Sequence, residues 1–167
     1  RLDIVLGVDD LEDLPGLERW ELAREPYVLL LPRGTRAVRG LAGLAELAKT
    51  MRLIRFTARS QTGVEIERHL RRLRIDAPRT LEFDTPYAVA AMVASGEGFA
   101  ITTPLCIAEA MVPARSVVVA RLPGPQISRK LTVGARLREL GQIPRELAEA
   151  GRKALAAMKL ADRQLGA

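Results

Sequence analysis

The sequence is poor in cysteine, histidine and aromatic residues, and each shortage excludes a class of site. One cysteine, Cys106, among 167 residues cannot form an internal disulfide, which agrees with a reducing compartment. One histidine and one cysteine are too few for a zinc site built from these ligands. Aromatic residues make up only 4% of the chain, which argues against a surface that stacks on nucleic-acid bases. No apolar run is long enough to span a bilayer, so no membrane partner is expected.

The formal net charge of +6 is carried mainly by arginine. Only four of the 26 basic residues are lysine, and the arginines are spread along the whole chain. The densest group is "ERHLRRLR", residues 67–74, where Ile66, Leu70 and Leu73 recur at helical spacing. This spacing predicts an amphipathic helix with solvated arginines, which charge runs indicate more often than the alternative, a phosphate-binding helix. We therefore expect no specific binding of duplex DNA by this chain alone.

Short apolar runs alternate with amphipathic segments along the chain. The runs predict strands, and the segments between them predict helices of roughly ten residues. The predicted strands are 2–8, 27–32, 52–56, 79–83, 99–101, 116–122 and 130–137, and the predicted helices are 41–49, 64–74, 87–94, 104–111 and 144–160. This alternation predicts an α/β fold with a mainly parallel sheet.

Polar side chains follow three successive predicted strands, at the point where each strand ends. They are Thr57, Ala58, Arg59 and Ser60 after the first of these strands, Asp84 and Thr85 after the second, and Thr102 and Thr103 after the third. A serine or threonine at one such place is explained by helix capping alone. Three junctions at one sheet edge, with helix N-termini and an arginine that can pair with a carboxylate, favour a ligand site.

The residues needed for catalysis do not occur together. Ser60 or Thr62 would need a base, and His69 lies about two helical turns further along, where we expect a surface or groove position. Cys106 has apolar neighbours, among which a free cysteine usually acts as a small buried hydrophobe. Paired carboxylates, metal-ligand spacing and a phosphate loop are all missing from the sequence. We expect a protein that is not an enzyme and holds no cofactor.

Four segments, in their order along the chain, resemble the effector-binding domain of LysR-type transcriptional regulators. They are "LDIVLGV", "EPYVLLLP", "LAELAKTMRLIRF" and "FDTPYAVAAMVASGEGFAITTP". The most specific part is "MVASGEGFAITTP", residues 92–104, which is similar to the family's helix, its valine-alanine-alanine-glycine turn and a strand that ends in proline. Ser95 replaces the family's usual second small residue. The order and spacing of these segments extend the resemblance over most of the chain.

The resemblance implies a fold like that of type 2 periplasmic binding proteins, with two α/β lobes joined by two crossing strands. On that template residues 1–32 and 131–167 belong to the first lobe, and residues 33–130 form a whole second lobe. The chain begins with Arg1 directly in a strand pattern, so we expect it to be part of a longer protein. An incomplete first lobe is then expected, with about two β-α units, a linker helix and a winged helix-turn-helix domain ahead of it.

The resemblance also implies a function. A small-molecule effector, for which Arg59 favours an anion, would bind between the lobes and change the geometry of a homodimer or tetramer. Promoter DNA would be bound only through the N-terminal domain of a cytoplasmic, bacterial regulator. The helix 64–74 would pack against the first lobe of a partner through a narrow apolar stripe.

The effector contacts that the resemblance implies come from both lobes. They are Thr57, Ala58, Arg59, Ser60, Asp84, Thr85, Thr102 and Thr103 in the second lobe, and Val8 and Asp9 in the first. At least one of the two neighbouring threonine hydroxyls is expected to point into a solvent-filled crevice.

Two alternatives share this scaffold. A free-standing solute-binding protein would need an export signal, so the full-length N-terminus would separate it from a regulator. A small enzyme, such as a deaminase of the porphyrin pathway, would need a cofactor-bearing cysteine exposed in the crevice. Cys106, predicted inside a helix, does not suit that role.

Overall fold

The computed structural model describes residues 3–8, 11–78 and 81–158. Several sequence predictions fall partly outside these ranges: the strand starts at residues 2 and 79, the site residue Asp9 and the helix end at residues 159–160. The chain divides into two compact units. Of the described residues, the first contains those up to Glu25 and those from Ser128 to Met158, and the second contains Pro26–Ile127.

Strands and helices alternate through most of the described residues. In chain order they are β1 (Ile4–Gly7), β2 (Leu17–Pro26), β3 (Val28–Pro32), α1 (Gly40–Thr50), β4 (Ile54–Phe56), α2 (Gln61–Arg72), β5 (Leu81–Phe83), α3 (Pro86–Ala94), β6 (Ala100–Thr102), α4 (Pro104–Ala110), β7 (Val117–Arg121), β8 (Ser128–Arg136) and α5 (Ile143–Met158), with a short 3₁₀ turn at Ala114–Ser116 before β7. None of the described helices is long and apolar enough to cross a membrane.

The first unit is a three-stranded sheet with one helix on it. The strand order is β1-β8-β2, and β1 runs antiparallel to β8 with Leu6 opposite Val133. Helix α5 packs on β8, and its Ala148 is fully buried. The long strand β2 did not stand out in the sequence, because the charged residues within "LERWELAREP" interrupt a regular alternation of apolar and polar positions.

The second unit is built on five strands. β3 pairs antiparallel with both β6 and β7, and β4 pairs in parallel with β5. A parallel bridge between Leu53 and Phe99 joins β4 to β6, and the amide of Ile54 donates to the carbonyl of Phe99 at 2.8 Å. The strands therefore follow the order β5-β4-β6-β3-β7. As predicted from its apolar run, β3 lies in the core, and Val28–Leu31 are at most 2% exposed.

The prediction of a mainly parallel sheet was wrong. Among the described strands, β1–β8, β3–β6 and β3–β7 are antiparallel pairs, whereas the parallel contacts are β4–β5 and the bridge between β4 and β6. The chain enters and leaves the second unit side by side, because the amide of Tyr27 donates to the carbonyl of Ile127 at 3.0 Å. The entering strand β3 must therefore run opposite to β7, which leads out. Residue periodicity carries no information about this direction.

The unit boundaries also differ from the expected lobe boundaries at residues 32/33 and 130/131. Strand β3 belongs to the second unit because both of its partners, β6 and β7, lie there. Residues 128–130 belong to the first unit because they are the start of β8.

Helix α2 has the predicted amphipathic pattern. Ile66 and Leu70 are buried, whereas Arg68, Arg71 and Arg72 are exposed. Its apolar side chains are all buried or half-buried, so the apolar stripe expected for a partner is not open on this helix. The position predicted for His69 was wrong as well, since this residue is only 2% exposed.

Candidate functional site

Strands β4, β5 and β6 end at one edge of the sheet in the second unit. β4 and β5 are parallel, with Phe56 opposite Phe83, and the bridge from β4 to β6 is parallel too. Their carboxyl ends therefore lie together, and α2, α3 and α4 begin there. The predicted site residues of the second lobe all follow or end these strands. This is the edge at which open α/β sheets bind ligands.

The loop between β4 and α2 is held by its neighbours. The amide of Thr57 donates to the carbonyl of Phe83 at 3.0 Å, which ties the loop to the end of β5. The hydroxyl of Ser60 donates to the Thr57 carbonyl at 2.8 Å and accepts from the amide of Gly63 at 3.0 Å. Ser60 thus caps α2. Thr57 and Ser60 are half-buried, whereas Ala58 and Arg59 are exposed.

Arg59 and Asp84 connect two of the three junctions. A guanidinium nitrogen of Arg59 lies 3.4 Å from a carboxylate oxygen of Asp84, and the two side chains are 84% and 66% exposed. Such exposed ion pairs contribute only about 0–1 kcal/mol, because water screens the charges and side-chain entropy opposes the pairing. A ligand carboxylate can therefore compete with Asp84 for the arginine.

Helix capping accounts for the hydroxyls of Thr85 and Thr103. The Thr85 hydroxyl accepts from the amide of Ala88 at 3.2 Å, and the Thr103 hydroxyl accepts from the amide of Cys106 at 3.4 Å. Thr85 is exposed, but Thr102 and Thr103 are only 2% and 0% exposed. The expectation of a solvent-open threonine hydroxyl after β6 is therefore contradicted, because β6 ends inside the packed core.

The first unit contributes one described member of the predicted site. Val8 directly follows β1 and is half-buried, whereas Asp9 lies outside the described residues. The effector contacts assigned to these two residues stay predictions.

The remaining candidate groups do not form a catalytic or metal site. Burial, and to a smaller extent the charge of Arg72, lowers the pKa of His69, and its Nε2 is buried without a hydrogen-bond partner in the described structure. Cys106 is buried in α4 as expected, which argues against an exposed, cofactor-bearing cysteine. Within the described ranges no three His, Cys, Asp or Glu side chains are grouped as metal ligands.

Two buried ion pairs were missed in the sequence. Arg55, inside β4, pairs with Glu67 of α2, and Arg129 of β8 pairs with Glu25 of β2 at 2.7 Å. A charged residue within an apolar run, as in "LIRF", was the available signal for Arg55. The partner of such a residue depends on tertiary contacts and could not be read from spacing.

A surface cavity of about 410 Å³ lies elsewhere in the second unit. It is lined by Ala45, Ala48 and Lys49 of α1 and by Arg74, Ile75, Asp76 and Pro78. Because these residues come just before β4 and β5, the cavity lies near the amino ends of the strands. None of the predicted site residues lines it.

Comparison with known families decides the identity of the domain. The family described as LysR substrate binding domain matches residues 1–155. The chain belongs to this family. Comparison with curated protein sequences gave no significant match.

Solved structures of LysR-type regulators share the fold. A mutant of Corynebacterium glutamicum OxyR superposes with a TM-score of 0.74 at 17% identity, covering 96% of this chain and 50% of that one. The Synechocystis CcmR regulatory domain in complex with 2-PG gives 0.72 at 15% identity, covering 91% and 73%. Full-length CbnR with its target DNA gives 0.68 at 17% identity, covering 92% and 53%.

The LysR substrate-binding domain of this chain has the α/β, type 2 periplasmic-binding-protein-like fold that the resemblance implied. It spans about half the length of the OxyR and CbnR chains that it matches. The family consists of effector-binding domains of transcriptional regulators, which are generally not enzymes. The family match therefore favours the regulator over the solute-binding protein and the small enzyme.

Proposed function

We propose that this domain senses a small anionic effector at the carboxyl edge of β4, β5 and β6. The proposal rests on one observation: the carboxyl ends of three parallel strands lie together, and the exposed Arg59 follows one of them. α2 and α3 both begin at this edge, and the positive ends of their helix dipoles favour an anion there. An arginine and helix N-termini together favour a carboxylate or another planar anion.

The groups proposed to contact the effector differ in how freely they can do so. Arg59, Ala58 and Asp84 are exposed, and Thr57 is half-buried, so a ligand can reach them directly. The capping hydroxyls of Ser60 and Thr85 already accept one hydrogen bond each. A hydroxyl oxygen has a second lone pair, and its hydrogen can turn to suit a ligand. The proposed site also includes Thr102 and Thr103, which are only 2% and 0% exposed and can reach an effector only if the end of β6 opens. From the first lobe it includes Val8 and Asp9.

In the proposed mechanism the effector favours one arrangement of the lobes over another. It can do so only by binding the two arrangements with different affinity. The change would alter the geometry of a dimer or tetramer and so the promoter DNA contacts of an N-terminal domain in a cytoplasmic regulator. A solved relative, full-length CbnR, was captured with its target DNA.

Calorimetric titration of the chain with a panel of small carboxylates tests the proposal. The informative variant is Arg59→Gln, and Arg68→Gln is its matched control, since Arg68 is also an exposed arginine paired with a carboxylate. For any carboxylate that binds, we expect Arg59→Gln to weaken affinity by about 10- to 100-fold. Arg68→Gln should leave affinity unchanged. Equal affinities of the two variants would exclude Arg59 from the site.

A further inference from the structure

Arg55 is the charged member of a strand that is otherwise apolar. Ile54, Arg55 and Phe56 are all buried, and the Arg55 side chain is 4% exposed. Its guanidinium donates to the carboxylate of Glu67 and to the carbonyl oxygen of Ala77. Its Nε is buried with no hydrogen-bond partner in the described structure. Stability alone does not explain this arrangement, because well-packed apolar side chains in place of a buried ion pair are often equally stable.

The contacts of Arg55 connect the elements on both sides of the loop 57–60. Arg55 itself lies in β4, directly before the loop, and Glu67 lies in α2, which follows it. Ala77 lies in the connection from α2 to β5. The guanidinium therefore fixes both the middle of α2 and the segment after its end with respect to β4.

The loop depends on where α2 lies. The hydroxyl of Ser60 bonds both the Thr57 carbonyl, next to β4, and the amide of Gly63, in the first turn of α2. A rotation or shift of α2 along β4 would break one of these two bonds. Apolar contacts tolerate such a shift, whereas an arginine with two fixed acceptors permits one arrangement only.

We infer that Arg55 and Glu67 are positioning residues for the loop 57–60, which their ion pair holds in its ligand-binding arrangement. The inference deepens the proposed function and rests on it for the role of the loop. The pair places Thr57, Arg59 and Ser60 for binding, but neither Arg55 nor Glu67 contacts the effector.

The test separates global stability from the position of the loop. Arg55→Met leaves the carboxylate of Glu67 without its arginine, so the folding equilibrium constant should fall by roughly 10²–10³. In the double variant Arg55→Met/Glu67→Met the folding equilibrium constant should recover to within about tenfold of the wild-type value. Amide hydrogen exchange of Ser60 and Gly63, followed by NMR without any ligand, should nevertheless stay at least about tenfold faster in the double variant.

Internal controls are available at the next junction. The amides of Ala88 and Val89, which bond Thr85 at the start of α3, should exchange as in the wild type. If the double variant fails to fold, Glu67→Gln and Glu67→Leu replace it. The glutamine keeps an acceptor oxygen and should retain slow exchange at Ser60 and Gly63, whereas the leucine should lose it.

Wild-type exchange at Ser60 and Gly63 in the folded double variant, or equal exchange in the two Glu67 variants, would overturn the inference. Because this readout contains no effector, it does not depend on the outcome of the carboxylate titration. A failed titration with faster loop exchange would refute the proposed ligand and leave the positioning role in place. Unchanged loop exchange, together with carboxylate binding that Arg59→Gln weakens, would refute the positioning role and leave the proposed ligand in place.

Discussion

Gly63 packs directly against the carbonyl oxygen of Thr57. A Cβ atom at this position would lie 2.2 Å from that oxygen, a distance that real Cβ atoms do not reach. The oxygen belongs to the backbone and the position of a Cβ is fixed by its own backbone, so neither can move aside as the end of a flexible side chain can. The first turn of α2 is therefore closed onto the end of β4 only because residue 63 has no side chain.

Gly63→Ala should consequently destabilise the protein by about 1–3 kcal/mol, because α2 must move away from Thr57. Gly43→Ala is the matched control, since Gly43 is also helical and a Cβ there would meet Val38 at an ordinary 3.5 Å. In that helix alanine should be neutral or stabilising by up to about 1 kcal/mol. Urea denaturation of both variants measures the difference. Similar stability of the two variants would show that the contact at Gly63 is not tight.

The parts of the fold that were predictable depend on local signals. The apolar run of β3, the amphipathic spacing of α2 and the proline-started helices α3 and α4 all appear in short windows of sequence. Ser60, Thr85 and Thr103 follow strands and precede helices, so their positions at helix N-termini could be predicted from residue type alone.

The features that were not predictable depend on distant residues. The direction of β3 is set by β6 and β7, and the partner of Arg55 is twelve positions away on another element. His69 carries a polar ring within an arginine-rich run, and only the packing of α2 decides that it is buried. Sequence indicated correctly that the three polar junctions share one sheet edge, but it did not distinguish exposed Arg59 from buried Thr102.

The buried pair of Glu25 and Arg129 should be more important for stability than an exposed pair close by. The two side chains are 8% and 7% exposed and lie 2.7 Å apart. Arg129→Met would leave a buried carboxylate without this partner, and we expect a loss of about 3–5 kcal/mol. Arg24→Met, which breaks a half-exposed pair with Glu21 at 3.6 Å, should cost at most about 1 kcal/mol.

Thermal or urea unfolding of the two variants tests this difference. The double variant Glu25→Gln/Arg129→Met serves as a control, because it removes both charges and should recover part of the loss. A small effect of Arg129→Met alone would mean that water or another protein group compensates the carboxylate of Glu25.

The stability of the chain should depend on pH through His69. Burial and the charge of Arg72 lower the pKa of this histidine below its ordinary value of 6.5. The unfolded chain therefore binds a proton at a higher pH than the folded chain does. The free energy of unfolding should therefore be highest above about pH 7, where His69 is neutral in both states. It should decrease as the pH falls through 6.5 towards the folded pKa, by at most about 1.4 kcal/mol per pH unit.

His69→Gln should remove this dependence, because the sequence contains no other histidine. The measurement is urea denaturation of both proteins between pH 5.5 and pH 7.5, a range above the titration of ordinary carboxyls, at about pH 4. Parallel pH profiles of wild type and variant would contradict a lowered pKa.

The last prediction concerns the two neighbouring threonines that end β6 and begin α4. Thr103→Val removes the hydroxyl that accepts from the amide of Cys106, so it should cost about 1 kcal/mol of stability. Thr102 lies in β6 opposite Val28, where another β-branched side chain fits the strand. Thr102→Val should therefore change stability little.

The proposed effector contact at Thr102 predicts a second effect of Thr102→Val, on ligand affinity. Loss of one hydrogen bond to a neutral group lowers affinity by about 0.5–1.5 kcal/mol, and to a charged group by roughly twice as much. Thr102→Val should thus weaken binding of the carboxylate identified by titration several-fold to about a hundredfold. Calorimetry and thermal melts of both variants provide the comparison. Thr102 is only 2% exposed without ligand. A lower melting temperature of Thr102→Val with unchanged affinity would therefore assign Thr102 to the core and remove it from the effector site.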